Sequence, residues 1–121
     1  MTQAVRRGEV WAVDFEPQTH RHEPGKKERP ALVIQTDALN NAGHQTTIVI
    51  PGTSQVDSLP PGDHFPLRVR IQKTAELKYD TDLLIDQVRA IANARFRMRY
   101  CAVPPALLKR VEEALRHLTG R

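Results

Sequence analysis

The sequence predicts a mostly β fold with one C-terminal helix (α+β), in which a small antiparallel sheet or barrel carries the helix at its end. Three observations lead to this class. Several short apolar or alternating segments are separated by Pro, Gly and polar residues. No long helix lies between them, which argues against a parallel βαβ sheet. One amphipathic helix then closes the sequence. The length of 121 residues fits a single domain, residues 1–121, with one hydrophobic core.

Six segments predict strands, and they are, in order, 9–15, 31–34, 46–50, 65–71, 82–88 and 100–103. The first and the fourth alternate, so that one face of each strand is apolar. The second is a continuous apolar run, consistent with a strand buried on both faces, and the third is β-branched throughout. For 82–88 the pattern also allows a helix. A short helical turn is expected between the last two strands.

The C-terminal helix is the clearest element. Pro104 and Pro105 stand at its start, in the first turn, where proline is tolerated. Apolar residues with the spacing i, i+3, i+4 and i+7 form one stripe. They are Leu107, Leu108, Val111, Ala114, Leu115 and Leu118. Charged residues occupy the other face, and Gly120 ends the helix. The stripe therefore predicts a helix with one buried face.

The overall charge is compatible with two kinds of protein. A formal net charge of +4 favours an anionic partner such as nucleic acid, because Lys and Arg replace the counterions condensed on phosphates. A basic surface without such a partner is about as common, so composition alone leaves both interpretations open.

The cysteine content and the N-terminus predict a cytoplasmic protein. The single cysteine, Cys101, allows no internal disulfide, which suits a reducing compartment, and a structural thiol is preferred there over a nucleophile. The N-terminus has no apolar signal-peptide run. No stretch approaches the ~20 apolar residues of a membrane helix.

Metal and cofactor motifs are missing from the sequence. The five histidines show no spacing typical of a metal site, and there is no phosphate loop or nucleophile elbow. His20 and His22 could chelate a metal weakly, but a solvated loop pair is the preferred interpretation. Asp80 and Asp82 are interpreted as a turn with solvated charges. We therefore expect neither a metal nor a cofactor.

One constellation of polar residues remains, around two loops. Arg29 begins the second predicted strand, and Thr53 and Ser54 follow the third. If these strands are antiparallel neighbours, all three residues lie at one end of the sheet, near Lys26 and Lys27. A guanidinium binds phosphate oxygens with two parallel hydrogen bonds, and hydroxyl groups donate to them. The alternative is a surface ion pair of Arg29 with Glu28 or Asp57.

Four motifs surround these residues, and they are Arg7-Gly8-Glu9-Val10-Trp11, Arg29-Pro30-Ala31-Leu32-Val33-Ile34, Pro51-Gly52-Thr53-Ser54 and Leu84-Ile85-Asp86-Gln87-Val88-Arg89-Ala90-Ile91. Each is weak alone, but in this order and spacing they resemble the MazF/PemK (also called Kid) toxins of bacterial type II toxin–antitoxin systems. The resemblance covers nearly the whole chain.

The resemblance implies a compact SH3-like barrel of the plasmid-maintenance-toxin type, with a C-terminal helix, that works as a homodimer. It implies a sequence-specific endoribonuclease that cuts single-stranded mRNA and so stops translation and growth. It also implies a cognate antitoxin that blocks the site with an acidic, partly disordered tail. The family's catalytic arginine and threonine fall on Arg29 and Thr53. Its RNA contacts fall on Glu23, Ser54, Leu59 and Gln87, to which the basic loop adds Lys26 and Lys27.

Two departures from the family concern the first loop. Arg21 stands where a glycine is usual, two residues before Glu23, and the stretch 17–29 is about two residues longer than in familiar members. The RNA sequence that is cut and the access of RNA past residues 18–28 therefore stay open.

The implied reaction is attack by a ribose 2′-OH on the adjacent phosphorus, which leaves a 2′,3′-cyclic phosphate and a 5′-OH. RNA supplies the nucleophile, so the protein has to position the strand and stabilise charge. The very high pKa of an arginine side chain makes Arg29 a poor base, which favours a stabilising role. Which residue acts as general base stays open, with His20, His22 and Glu23 as candidates.

Three other functions fit the same fold class. A non-catalytic SH3-like binding module would bind RNA and leave it intact. A gyrase-poisoning toxin of the same fold would not need Arg29 and Thr53. An inactive scaffold bound by an antitoxin is the third alternative. The pair of Arg29 and Thr53 at one sheet end favours the nuclease.

Overall fold

The computed structural model describes residues 4–15, 28–56 and 63–120. The strands and α-helices of these residues follow in the order β1 (Glu9–Asp14), β2 (Glu28–Val33), α1 (Asp37–Asn41), β3 (Thr46–Thr53), β4 (Arg68–Ile71), β5 (Thr81–Leu84), β6 (Arg89–Ala92), β7 (Phe96–Ala102) and α2 (Pro105–Leu118). Short 3₁₀ turns, Ile85–Gln87 and Asn93–Arg95, join β5 to β6 and β6 to β7. The predicted class, a mostly β fold with a C-terminal helix, is confirmed. None of the helices in these ranges is long and apolar enough to cross a membrane.

All strand pairs are antiparallel, and β3 is the centre of the sheet. The hydrogen-bonded order is β4-β5-β3-β2-β1-β7, and β6 also pairs with β3. One edge of β3 pairs with β2, while the other edge pairs first with β6 and then with β5. Strands β4 and β7 end this path, and no pairing within the described ranges joins them. The expected barrel is therefore an open sheet here, with β4 in contact with α2.

The central strands are buried on both faces because the sheet has an apolar cluster on each side. On one side, Val10, Leu32 and Ile50 pack with Val111 and Ala114 of α2. The other side holds Trp11, Val13, Phe15, Ala31, Val33, Val49 and Phe96. The continuous apolar run predicted to be buried on both faces is thus confirmed in β2. Sequence alternation identified only one buried face of β1.

Helix α2 matches its prediction. It begins at Pro105 and ends at Leu118, and Gly120 adopts a positive φ of 84° just beyond it. Val111 and Ala114 are fully buried, whereas Leu118 at the end of the stripe is 37% exposed. The stripe covers the apolar face of the sheet and so completes the core, as its spacing indicates.

Three elements differ from the predictions. The predicted strand 82–88 ends at Leu84, and the chain turns through residues 85–87 into a separate strand, β6. The break is set by pairing, since β5 and β6 lie along different halves of β3. Strand β7 begins at Phe96 rather than at residue 100, because it pairs with β1 along most of its length. Helix α1, capped by the Thr36 hydroxyl, was not predicted.

Candidate functional site

The predicted juxtaposition of two strand ends is confirmed. Strands β2 and β3 are antiparallel with Ala31 opposite Pro51, so that Arg29 at the start of β2 and Thr53 at the end of β3 share one end of the sheet. The Arg29 Nη2 donates to the carbonyl oxygen of Gly52 at 3.4 Å. The backbone thus brings a guanidinium and a hydroxyl to the same place.

Gly52 allows the strands at this end to approach closely. A Cβ atom at this position would lie 2.5 Å from Thr81 Cγ2 and 3.4 Å from the Pro30 carbonyl oxygen. Thr81 is 1% exposed and β-branched, so its methyl group has little freedom to move away. Only glycine fits here without displacing β5, which explains Gly52 immediately before Thr53.

Arg29 has no carboxylate partner among the residues that the structure describes. Glu28, its neighbour in β2, faces Arg97 instead, with the Arg97 Nε 3.9 Å from Glu28 Oε2. The predicted alternative of an ion pair with Glu28 is therefore wrong, and Asp57 lies outside the described residues. Burial lowers the pKa of the half-buried Arg29 guanidinium below its ordinary value, and the positive charge of Arg89 lowers that pKa further.

A second arginine lies close to Arg29. The guanidinium carbons of Arg29 and Arg89 are 6.0 and 5.4 Å from the centre of the Phe15 ring, within the distance of cation–π contacts. Arg89 begins β6 opposite Val49 of β3. From the sequence, Phe15 was predicted only as part of the first strand and Arg89 only as part of a motif. A signal for Arg89 was present, because it stands two residues after Gln87 in the motif that suggested Gln87.

The other predicted residues divide into those near this end and those outside the described ranges. The half-buried Thr53 accepts a hydrogen bond from the Gln55 backbone N–H at 3.1 Å, and the structure gives its own O–H no acceptor in the described part of the chain. Ser54 and Gln87 are exposed, and Gln87 ends the turn that precedes Arg89. The predicted residues that lie outside the described ranges are Glu23, Lys26, Lys27 and Leu59, as well as His20 and His22.

Two smaller predictions have different outcomes. Asp82 is only 3% exposed, accepts a hydrogen bond from Arg70 and lies 3.6 Å from Arg68 Nη1, so its interpretation as a solvated charge is wrong. Asp80 accepts the Lys73 backbone N–H, as expected of a turn. Burial raises the pKa of the half-buried Cys101 thiol, which disfavours the thiolate and agrees with a structural role.

Metal-ligating side chains do not cluster in the described ranges. No group of three His, Cys, Asp or Glu side chains there is arranged to hold an ion. A surface pocket of about 360 Å³ between β4 and the start of α2 is lined by Arg68, Arg70, Leu107, Arg110 and other residues, and it contains none of the predicted site residues. The cationic strand end around Arg29 therefore remains the candidate site, and its chemistry is that of anion binding.

The sequence profile of one family matches nearly the whole chain. The family is described as the PemK-like, MazF-like toxin of type II toxin–antitoxin systems, and the match covers residues 6–119. The matched range includes all the described residues of the candidate site.

Solved structures share the fold. MazF from Deinococcus radiodurans has a TM-score of 0.70 at 24% identity, over 98% of this chain and 99% of that chain. A MazE–MazF complex of the same organism has a TM-score of 0.72 at 22% identity, with 98% and 97% covered. A protein described as an endoribonuclease from a mycobacterial species has a TM-score of 0.70 at 17% identity, with 99% and 95% covered. At these identities the likeness establishes the fold.

Proposed function

This chain belongs to the PemK-like, MazF-like toxin family of type II toxin–antitoxin systems, and we propose that it is an endoribonuclease that cuts single-stranded RNA without a metal ion. The observation that carries the proposal is Arg29, a half-buried cation without a described carboxylate partner, beside Gly52 and Thr53 at one sheet end. A cation held in this way is free to bind an anionic substrate. The name of the mycobacterial structure, an endoribonuclease, supports the same activity.

The proposed step is attack by a ribose 2′-OH on the adjacent phosphorus. The new O–P bond forms as the bond to the 5′ oxygen of the next nucleotide breaks, and the products are a 2′,3′-cyclic phosphate and a 5′-OH. The proton of the 2′-OH passes to a general base, for which His20, His22 and Glu23 are the candidates, and the leaving 5′ oxygen gains a proton. DNA would not be cut, because it lacks the 2′-OH.

Arg29 stabilises the negative charge that develops on the nonbridging oxygens of this phosphate. Its two-pronged guanidinium matches two phosphate oxygens, and partial burial strengthens the attraction by excluding water. An arginine side chain stays a cation in proteins at neutral pH, so we assign Arg29 charge stabilisation and, for the leaving oxygen, proton donation. Thr53 holds the same phosphate through its O–H.

The finer features of the family are also part of the proposal. They are one domain over 1–121, cleavage at a specific sequence in mRNA that stops translation and growth, a homodimer, a cytoplasmic location and RNA contacts at Ser54, Gln87, Glu23, Leu59, Lys26 and Lys27. The partner is a cognate antitoxin with an acidic, partly disordered tail. A mycobacterial endoribonuclease solved in complex with its cognate antitoxin supports an antitoxin partner, and a cationic site is the surface that an acidic tail would cover.

The test is to incubate the purified protein with mixed cellular RNA in EDTA and to map the new 5′ ends. We expect discrete cuts with 5′-OH ends, and we expect Arg29→Ala to abolish them. Arg99→Ala is the matched control, since it removes an arginine from β7 and should leave the cuts in place. RNA that is bound but stays intact would identify a binding module instead. Toxicity that persists in Arg29→Ala together with gyrase inhibition would identify a gyrase poison.

A further inference from the structure

Arg89 and Arg29 carry the same charge, yet both contact the Phe15 ring, and burial, together with the charge of Arg89, lowers the pKa of Arg29. Both guanidinium groups lie within 6.0 Å of the centre of the Phe15 ring, and the ring itself is 6% exposed. Arg89 is exposed, while Arg29 is half-buried. The arrangement is fixed by the sheet, because Phe15 follows β1, Arg29 is the second residue of β2 and Arg89 begins β6.

Neither arginine forms an ion pair with any residue in the ranges 4–15, 28–56 and 63–120. Arginines elsewhere on the sheet do form them, as Arg70 does with Asp82 and Arg99 with Glu9. Like charges that these described residues leave without a carboxylate partner repel each other, and an anion bound to both of them removes that repulsion. The pair therefore favours a ligand with more than one negative charge along its length.

We propose that Arg89 binds a backbone phosphate of the RNA strand next to the phosphate held by Arg29. This inference rests on the proposed endoribonuclease function and adds to it a residue that binds the substrate away from the bond that is cut. Phe15 orients both guanidinium groups by cation–π contact, which reduces the side-chain entropy lost when RNA binds. Strand β6 places Arg89 opposite Val49, on the strand that ends at Thr53.

The two arginines should then differ in their kinetic roles. A phosphate next to the reacting one keeps its charge throughout the reaction, so Arg89 binds substrate and transition state equally. Loss of such a contact raises KM and leaves kcat unchanged, whereas loss of Arg29 lowers kcat. A purely structural cation–π contact of Arg89 would lower the melting temperature and change neither quantity in the folded enzyme.

The decisive measurement is binding to a single-stranded DNA of mixed sequence, about 20 nucleotides long, by fluorescence anisotropy over a series of NaCl concentrations. DNA cannot be cut by 2′-OH attack, so the result does not depend on catalysis. Removing one phosphate contact should reduce the slope of log K against log [NaCl] by about 0.7 and weaken binding ~10-fold at low salt. We expect both changes in Arg89→Ala, and most of the slope to return in Arg89→Lys.

Arg99→Ala is the matched control, because it removes the same charge from an arginine that already has a carboxylate partner. Its slope should equal that of the wild type. If Arg89→Ala unfolds, Arg89→Gln retains much of the side-chain stem and serves in its place. An unchanged slope in the folded Arg89 variant would overturn the proposal, as would wild-type protein that shows no salt-dependent binding. Normal DNA binding without RNA cleavage would instead overturn the endoribonuclease function and leave the Arg89 contact standing.

Discussion

The arginines of β7 and the arginines around Phe15 carry equal charges in opposite surroundings. On β7, Arg97 Nη2 lies 3.1 Å from Asp14 Oδ2, and Arg99 Nε lies 2.8 Å from Glu9 Oε2. Arg29 and Arg89 have each other and an aromatic ring, but no carboxylate in the described part of the chain. The first pair joins β7 to β1, while the second leaves positive charge available at a strand end.

This difference shows that pairing, and not the number of basic residues, marks the site. The arginines of the β7 ion pairs are half-exposed and water screens their charges, so each pair contributes at most about 1 kcal/mol to the free energy of unfolding. Keeping Arg29 half-buried without a carboxylate has the opposite effect and lowers stability. Such a cost is typical of functional sites, where a ligand supplies the missing partner.

The largest effect should come from replacing Arg29 by lysine, and the same replacement of Arg99 on β7 is the control. Arg29→Lys keeps the charge but loses the two-pronged hydrogen bonds, and we expect kcat to fall by ~100-fold, or about 2.7 kcal/mol in the barrier. Arg99→Lys keeps an ion pair with Glu9 and should cut RNA at the wild-type rate. Single-turnover cleavage of a short RNA that the wild type cuts measures both. Near-wild-type cleavage by Arg29→Lys would contradict the assigned role of its guanidinium.

An effect of similar size, on the free energy of unfolding, should follow from removing the carboxylate partner of Arg99. Glu9 is nearly buried and accepts hydrogen bonds from the Arg6 backbone N–H, the Trp11 indole N–H and the Arg99 Nε. Glu9→Ala leaves these donors without an acceptor, so the free energy of unfolding should fall by about 2–3 kcal/mol. Urea denaturation measures the loss.

Glu9→Gln is the control for this prediction, since its amide oxygen can still accept from Trp11. It should recover part of the lost stability. If Glu9→Ala unfolds at the same urea concentration as the wild type, the hydrogen bonds around Glu9 do not hold β1 and β7 together as we infer.

The smallest of these effects concerns the close approach of β3 and β5 at Gly52. Gly52→Ala places a Cβ atom against the Thr81 methyl group, and we expect a loss of about 2 kcal/mol in the free energy of unfolding. Thr81→Ser removes that methyl group and keeps the hydroxyl, which donates to the Tyr79 carbonyl. The double variant should therefore be more stable than the sum of the single changes predicts, as measured by denaturation. Additive losses would show that another contact excludes the side chain.

Much of the fold was predictable because its signals are local. The β-branched run of β3, the apolar run of β2 and the stripe of α2 each indicate an element from a few neighbouring residues. The break between β5 and β6 was not predictable in this way. The pattern of residues 82–88 predicts a single strand, and the chain turns there because two different halves of β3 are available for pairing.

The candidate site was likewise predictable only in part. The sequence by itself determined that Arg29 stands where one strand begins and Thr53 where another ends. The antiparallel pairing of β2 with β3 then brings them to one end of the sheet. Only the tertiary structure decided which cations are neutralised: Arg97 and Arg99 meet carboxylates across β1, and Arg89 meets Arg29 over the Phe15 ring. Ion pairing depends on the register between strands that are far apart in the sequence. The number of charged residues does not determine that register.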